Sequence, residues 1–344
     1  MSLRSPPLAA PARLWLQEAL SAAGLPADAG PDALAMQAEG RAMRDTLAAD
    51  LATLPGLQTI LALGPDEAPR PGGEAPPAAV SSLARLRGAA ARHDAVWAIA
   101  PECGGELLAW AEAVAAAGRA RWIGPRPEAI RRASSKGLTL AAWAAAGLET
   151  PAPDQAAADA PWIVKPEDGA GGLLTHRHPG RAAAEAEAAR RRAAGEAVRV
   201  EPWIAGEALS FSLRVPPDGG APELLACNRQ RLHWRAADGL AVAELGPVDS
   251  GALDADPRRP AWAAWAARAV AALPGLAGFV GIDAVLSPQR GLVGLELNPR
   301  LTSAYVGLPP ARRRALLRAV LADFGLGPDA PAGARPPVSE GAAC

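Results

Sequence analysis

The chain has 344 residues, enough for two or three domains and a substantial core, and half of them are hydrophobic. A formal net charge of −1 gives no reason to expect a nucleic-acid or membrane partner. No apolar run nears the roughly 18 residues that span a bilayer, "MSLRSPPLAAPARLW" lacks a clean signal peptide, and Cys103, Cys227 and Cys344 show neither metal-ligand nor disulfide-framework spacing, so a cytoplasmic protein is expected.

Usage within that composition is skewed. Of 35 basic residues only Lys136 and Lys165 are lysine, asparagine occurs only as Asn228 and Asn298, and Tyr305 is the single tyrosine. Where arginine serves almost everywhere, a retained lysine suggests a compact, mobile ammonium that a planar guanidinium cannot mimic.

Along the chain, "LQTILAL", "DAVWAIAPE" and "ARWIG" read as buried strands alternating with helices such as "ELLAWAEAVAAAG", a parallel α/β layer over residues 1–125. The proline-rich N-terminal segment shows no obvious first strand. A helix from Pro127 and one through "LTLAAWAAAG" follow, the latter ended by Gly147. "PWIVKP", "AVRVEPWI", "ALSFSLRV" and "ELLACNRQ" are short strands, Pro260–Leu273 is a helix, and "GFVGIDAVLS" and "GLVGLELN" are strands. The segments 126–200 and 201–326 form two further units, and 327–344 is a low-complexity tail expected to be disordered. Arg190–Arg192 and Arg312–Arg314 read as solvated helix faces, and "THRHPG", with His176 and His178, as a polar turn.

Three stretches carry chemistry. In "GFVGIDAVLSPQRGLVGLELNPR" a hairpin turning between Gln289 and Arg290 brings Asp283 opposite Glu296, with Asn298 on the same face. Facing carboxylates repel unless a cation lies between them, and an oxygen set of this kind suits Mg²⁺ completed by substrate phosphates. Incidental acids on an exposed sheet face are the competing reading. In "PWIVKPEDGAGG" a strand delivers Lys165 to a loop whose Gly169, Gly171 and Gly172 let backbone N–H groups approach phosphate, although such a loop alone is often only a turn. In "VRVEPWIAGEALS" the backbone of Trp203 and Ile204 is placed to read a nucleobase and Glu207 a ribose hydroxyl, or the stretch is an ordinary connection.

In order and spacing, Pro127 to Leu301 resembles the ATP-grasp superfamily. The resemblance implies an ATP-grasp fold, α/β and α+β in class, with an N-terminal Rossmann-like pre-ATP-grasp domain. It places ATP between two lobes, Lys136 and Lys165 at its phosphates, Glu201 and Ile204 at the adenine hinge, and Glu207 near the ribose. Asp283, Glu296 and Asn298 would hold Mg²⁺, with Mn²⁺ as a substitute, and Arg300 the reacting carboxylate or acyl phosphate. Within the superfamily, "AIAPECGGELLAW", "CNRQ" and "ELNPRLTSAYVGL" are similar to small ligases related to tyramine–glutamate ligase. This implies a small-molecule carboxylate such as glutamate, a tyramine- or tyrosine-like amine, a role in methylofuran-type cofactor biosynthesis, and homodimers as a frequent state. Asn228, Arg229, Gln230, Arg231 and Tyr305 are the candidate substrate contacts, with a packed ring for Tyr305 and surface charges for the arginines as equal alternatives. Another ATP-grasp ligase, adding γ-linked glutamates or joining amino acids, and a noncatalytic nucleotide-binding module are the rival readings.

Overall fold

The protein is described by a computed structural model, which covers residues 11–77, 80–156, 159–169, 171–237 and 240–326. The tail expected at 327–344 lies outside the described residues.

The first sheet is parallel. Its strands are β1 (Ala12–Glu18), β2 (Leu57–Ala62), β3 (Gly73–Glu74), β4 (Ala95–Ile99) and β5 (Arg121–Trp122), in the spatial order β3-β2-β1-β4-β5. The central strand is β1, which the sequence reading missed. A strand buried on both faces shows a continuous apolar run rather than alternation, and here that run is only Leu14-Trp15-Leu16. Gln17 continues it, fully buried, because its side chain accepts from Trp15 Nε1 (2.9 Å) and donates to the Ser82 carbonyl (3.0 Å).

Helices α1 (Ala19–Ala23), α2 (Pro31–Leu51), α3 (Ser82–Ala90) and α4 (Glu106–Ala117) supply the crossovers. Met43, Leu47 and Leu51 of α2 pack on one face, and Leu86, Leu107, Trp110 and Val114 of α3 and α4 on the other. Connections therefore leave β1 and β4 to opposite faces. The carboxyl ends of those two strands form a topological switch point, the place where open α/β sheets take ligands.

Helices α5 (Pro127–Ser134) and α6 (Lys136–Ala145) lead into a second, largely antiparallel region. It contains β6 (Trp162–Pro166), β7 (His176–His178), α7 (Arg181–Ala193), β8 (Val198–Pro202), β9 (Glu207–Val215), β10 (Glu223–Arg229), β11 (Leu232–Ala237), β12 (Leu240–Leu245), α8 (Arg259–Ala271), β13 (Gly278–Ser287), β14 (Gly291–Asn298) and α9 (Pro310–Asp323). One sheet has the order β11-β12-β7-β6-β8, the other β10-β9-β13-β14. The "THRHPG" turn is thus a strand, β7. His176 and His178 both bond to the buried Glu187 of α7, which ties that helix to the sheet.

Neither arginine cluster is wholly solvated. Arg191 is buried against Glu187 and pairs with Glu196 at 2.8 Å. Arg313 pairs with the buried Asp50 of α2 at 2.6 Å, which docks α9 onto the first sheet's helix layer.

The sheet β10-β9-β13-β14 positions the chemistry. Leu209, Phe211, Leu213, Val280, Ile282 and Leu297 project to one side, onto α6 and α8, where Trp143 and Trp262 fill the core. By the two-residue period, Ser210, Ser212, Gly281, Asp283, Glu296 and Asn298 face the other way. Gly281 leaves room on that face for Thr302, whose Cγ2 would lie 2.6 Å from a Cβ at this position.

Candidate active site

The hairpin brings the predicted carboxylates together: Asp283 pairs with Glu296 and Gly281 with Asn298. The turn is not where the sequence placed it. Beyond Asp283 the register moves by one, with Ala284 opposite Gly294 and Ser287 opposite Gly291. The shift is a β-bulge at Leu295-Glu296. It turns Gly294 onto the core, where a Cβ would sit 2.6 Å from the Trp143 ring. It also turns Val293 and Leu295 to the site side, where with Val285 they pack on Ile204. One strand thereby offers the Glu296 carboxylate and the Asn298 amide at one end and an apolar floor beside the expected base-reading segment at the other.

Directly opposed positions run across the whole sheet as Asn228–Ser210–Asp283–Glu296. Asp283 accepts from Gln230 Nε2 (2.9 Å) and from Asn298 Nδ2 (3.1 Å). Burial, then the facing Glu296 carboxylate, pushes the Asp283 pKa well above its ordinary range. Burial also works against the charge on Glu296, but Lys136 and Lys165 hold its pKa below the usual value. Negative charge is therefore favoured on Glu296 over Asp283, because the two lysines face Glu296.

Both lysines arrive at this pair. Lys136 is the first residue of α6, Ser135 being its cap: Ser135 Oγ accepts from the Leu138 N–H (3.1 Å) and donates to Glu167 (2.7 Å). Glu167 also accepts from the Gly137 N–H (2.6 Å), so the helix start is clamped to the strand carrying Lys165. Lys136 Nζ lies 3.0 Å from Glu296 and donates to the Gly169 carbonyl at 2.6 Å. Burial works against its charge, but Glu296, with Glu102 and Glu201, keeps its pKa raised. Lys165 Nζ lies 2.6 Å from Glu201, itself buried and held by Arg199 at 3.3 Å.

Gly171 and Gly172 take positive φ (67° and 71°), backbone that favours glycine, while Gly169 packs against Pro166. The Gly104 N–H donates to Asp168 (2.9 Å) beside them. Arg300 Nη2 donates to Glu102 at 3.0 Å. Neither Asp168 nor Glu102 was selected from the sequence; the only signal was that Glu102 follows a buried strand and Asp168 lies between Lys165 and the glycines.

Other expected contacts are placed differently. The Trp203 N–H is engaged by the Pro161 carbonyl (2.8 Å), and the Trp203 ring stands edge-on to Trp234. Glu207 pairs with Arg229 at 2.6 Å on the surface, and Arg231 lies 3.9 Å from Asp249. Asn228 is fully buried. Its Nδ2 donates to Ser210 and Ser212 and its Oδ1 accepts from the Gly251 N–H, so the amide holds the sheet together. Tyr305 is a core ring packed edge-on to Phe279, its hydroxyl donating to Asp50 (2.8 Å). Of the five expected substrate contacts only Gln230 reaches the carboxylates.

Among the described residues no group of three or more His, Cys, Asp or Glu forms a metal cluster. Asp283, Glu296 and the Asn298 amide are nonetheless a hard-oxygen set, and Mg²⁺ takes one or two carboxylates plus substrate phosphates. The residues fit that ion.

The ATP-grasp domain family matches residues 133–304, half of the chain, and the pre-ATP-grasp domain family matches 73–130. The chain belongs to the ATP-grasp family. Solved structures share the ATP-grasp fold. An ATP-grasp superfamily protein from Archaeoglobus fulgidus is 21% identical with a TM-score of 0.57, the match covering 86% of this chain and 83% of that one. VanG D-Ala:D-Ser ligase from Enterococcus faecalis is 13% identical, TM-score 0.62, over 90% and 99%. An L-amino acid ligase from Bacillus licheniformis is 17% identical, TM-score 0.53, over 87% and 69%. No curated protein matches the chain. Among the described residues no helix is long and apolar enough to cross a membrane.

Proposed function

We propose that this ATP-grasp protein is a Mg²⁺- and ATP-dependent carboxylate–amine ligase. The observation that carries this reading is the half-buried set Lys136–Glu296–Asp283, with Lys165 within reach of the same charges. Each lysine is held by a carboxylate, so metal binding at Asp283 and Glu296 would free Lys136 for the phosphates. Mg²⁺ bound there would neutralise phosphate charge. The chain's own residues do the rest: Lys136 and Lys165 hold phosphate oxygens, the Gly169–Gly172 loop covers them, Ile204 and its apolar neighbours seat the base, and Arg300 holds the reacting carboxylate.

In the proposed reaction a carboxylate oxygen attacks the γ-phosphorus, ADP leaves, and an acyl phosphate forms. An amine nitrogen then attacks the acyl carbon, phosphate leaves, and the amine loses a proton. Positioning and charge neutralisation carry most phosphoryl-transfer catalysis, so no nucleophilic side chain is required. The favoured substrates are glutamate and a tyramine- or tyrosine-like amine, in a cytoplasmic methylofuran-type pathway. Their support is the sequence resemblance rather than the pocket, since Asn228 and Tyr305 are engaged internally. Joining other amino acids is the second reading, favoured by the likeness to an L-amino acid ligase.

The test is ADP release from Mg·ATP with L-glutamate, with and without tyramine, tyrosine and a wider amine panel, and mass spectrometry of products. An amide formed only from glutamate and an aromatic amine supports the specific reading. Other productive pairs keep the ligase and discard those substrates. ATP binding without turnover on any pair would leave a noncatalytic nucleotide-binding module.

A further inference from the structure

Arg300 follows β14 and reaches across to the parallel sheet. Its Nη2 donates to Glu102 Oε2 at 3.0 Å and its Nη1 to the Leu301 carbonyl at 3.3 Å. Glu102 is 5% exposed and follows β4 at the switch point, 198 residues away in sequence. Each partner keeps one buried atom without a hydrogen bond among the described residues: Glu102 Oε1 and Arg300 Nε. Buried ion pairs stabilise poorly even when complete, and apolar residues of similar volume often do as well. Buried polar atoms are normally satisfied, and exceptions ask for a reason. Fold stability is thus a weak reason for an incomplete pair at a strand's carboxyl end.

We infer that Glu102 is a positioning residue for the ligation, aiming the Arg300 guanidinium at the transferring group. The inference rests on the ligase reading, in which Arg300 holds the reacting carboxylate or acyl phosphate. A planar guanidinium recognises oxyanions through two parallel N–H groups, so its roll about the side-chain axis decides whether it binds them well. Engaging one Nη with a buried carboxylate, and the other with the next residue's carbonyl, fixes that roll before substrate arrives.

The same loop does a second job of placement, because its Gly104 N–H binds Asp168 of the glycine-rich loop. Lid and guanidinium are therefore both referenced to residues 102–104, outside the segment that carries the metal ligands. Loss of the Glu102 charge would leave the ATP site assembled but the arginine free to turn, and a misplacement near 1 Å can cost about 10²-fold in rate.

The experiment isolates the first half-reaction in the full chain. Hydroxylamine replaces the amine: its nitrogen attacks the acyl carbon of the acyl phosphate, phosphate leaves, and a hydroxamate is measured, with Mg·ATP and a carboxylate panel headed by L-glutamate. Glu102→Gln should lower kcat about 10- to 100-fold, with the KM for ATP within about twofold of wild type. Glu102→Asp, which keeps the charge, should recover part of that loss. In an Arg300→Lys background, adding Glu102→Gln should change the rate by less than about twofold, because the group it aims is gone.

A normal kcat for Glu102→Gln overturns the inference, and so does its full effect in the Lys background. If Arg300→Lys is too slow to measure, the single variants decide. Equal losses in Asp and Gln, with weakened ATP binding, would make Glu102 a structural residue and reject the assignment. Failure of the wild type to form hydroxamate with any carboxylate overturns the ligase reading itself, and this inference with it.

Discussion

Lys136 Nζ lies 3.0 Å from Glu296 Oε2 across the opening between the first turn of α6 and the strand β14, and both side chains are largely buried. Lys165 makes the parallel contact with Glu201 at 2.6 Å. The two lysines of an arginine-rich chain are thus both held by carboxylates. Lys136→Ala, Lys165→Ala and Glu296→Ala should each reduce turnover about 10²- to 10³-fold, the loss seen for a missing electrostatic contact to a transition state. Lys165→Arg should not restore it, since a guanidinium cannot replace a compact ammonium in a site this closed. Steady-state ADP release with circular dichroism checks this. Activity within tenfold of wild type in a folded variant would remove that residue from the site.

Gln230 donates to Asp283 at 2.9 Å and so orients one of the three expected metal ligands without being one itself. Partners of this kind typically change metal affinity 10- to 100-fold. Gln230→Ala should therefore raise the Mg²⁺ concentration for half-maximal activity about tenfold, while the KM for ATP at saturating Mg²⁺ changes little. An unchanged Mg²⁺ requirement would mean Gln230 serves the substrate or the sheet instead.

What the sequence made legible follows from periodicity and spacing. The meeting of Asp283 with Glu296 was readable because antiparallel register is set by the turn and side chains alternate strictly. Even so, the reading succeeded with the turn misplaced, because the bulge at Leu295-Glu296 offsets it by one residue. Bulges leave little mark in sequence, and this one explains why Leu295 and Glu296 both serve the site side. Strand β1 was illegible because its buried polar residue, Gln17, interrupts the apolar run and is satisfied by Trp15 two residues before it and by the Ser82 carbonyl 65 residues away. Glu102 and Asp168 were missed for a related reason: their partners, Arg300 and Gly104, lie 198 and 64 residues away, so no local pattern announces them.

Tyr305 exposes 2% of its surface and donates to Asp50, which Arg313 also holds at 2.6 Å. Burial, and then Asp50, drives the phenol's pKa upward, so the ring stays neutral and packed. Tyr305→Phe should cost about 1 kcal/mol of stability, the usual net value of one hydrogen bond, because Arg313 still satisfies Asp50. Substrate KM values should stay within about twofold. Urea unfolding and initial-rate kinetics measure both. A tenfold rise in the amine KM with unchanged stability would instead make Tyr305 a substrate contact.

Glu187 binds both His176 and His178, and Arg191 approaches it at 3.6 Å, so α7 is fastened to β7 through one buried carboxylate. Burial opposes its charge, but the hydrogen bonds from His176 and His178 hold its pKa below the usual 4.5. A carboxylate depressed in the folded state adds stability that is present above its unfolded pKa and lost as pH falls through the folded value. Wild type should therefore lose stability below about pH 4.5 as this carboxylate is protonated. Glu187→Gln should be about 3 kcal/mol less stable at pH 7, since breaking a buried pair leaves its partners uncompensated. Below about pH 4.5 the gap between the two proteins should narrow, as wild type loses the charge that the variant never had. A gap that stays constant from neutral pH down to about pH 3 would show that packing of α7, rather than the ionised Glu187, fastens the helix.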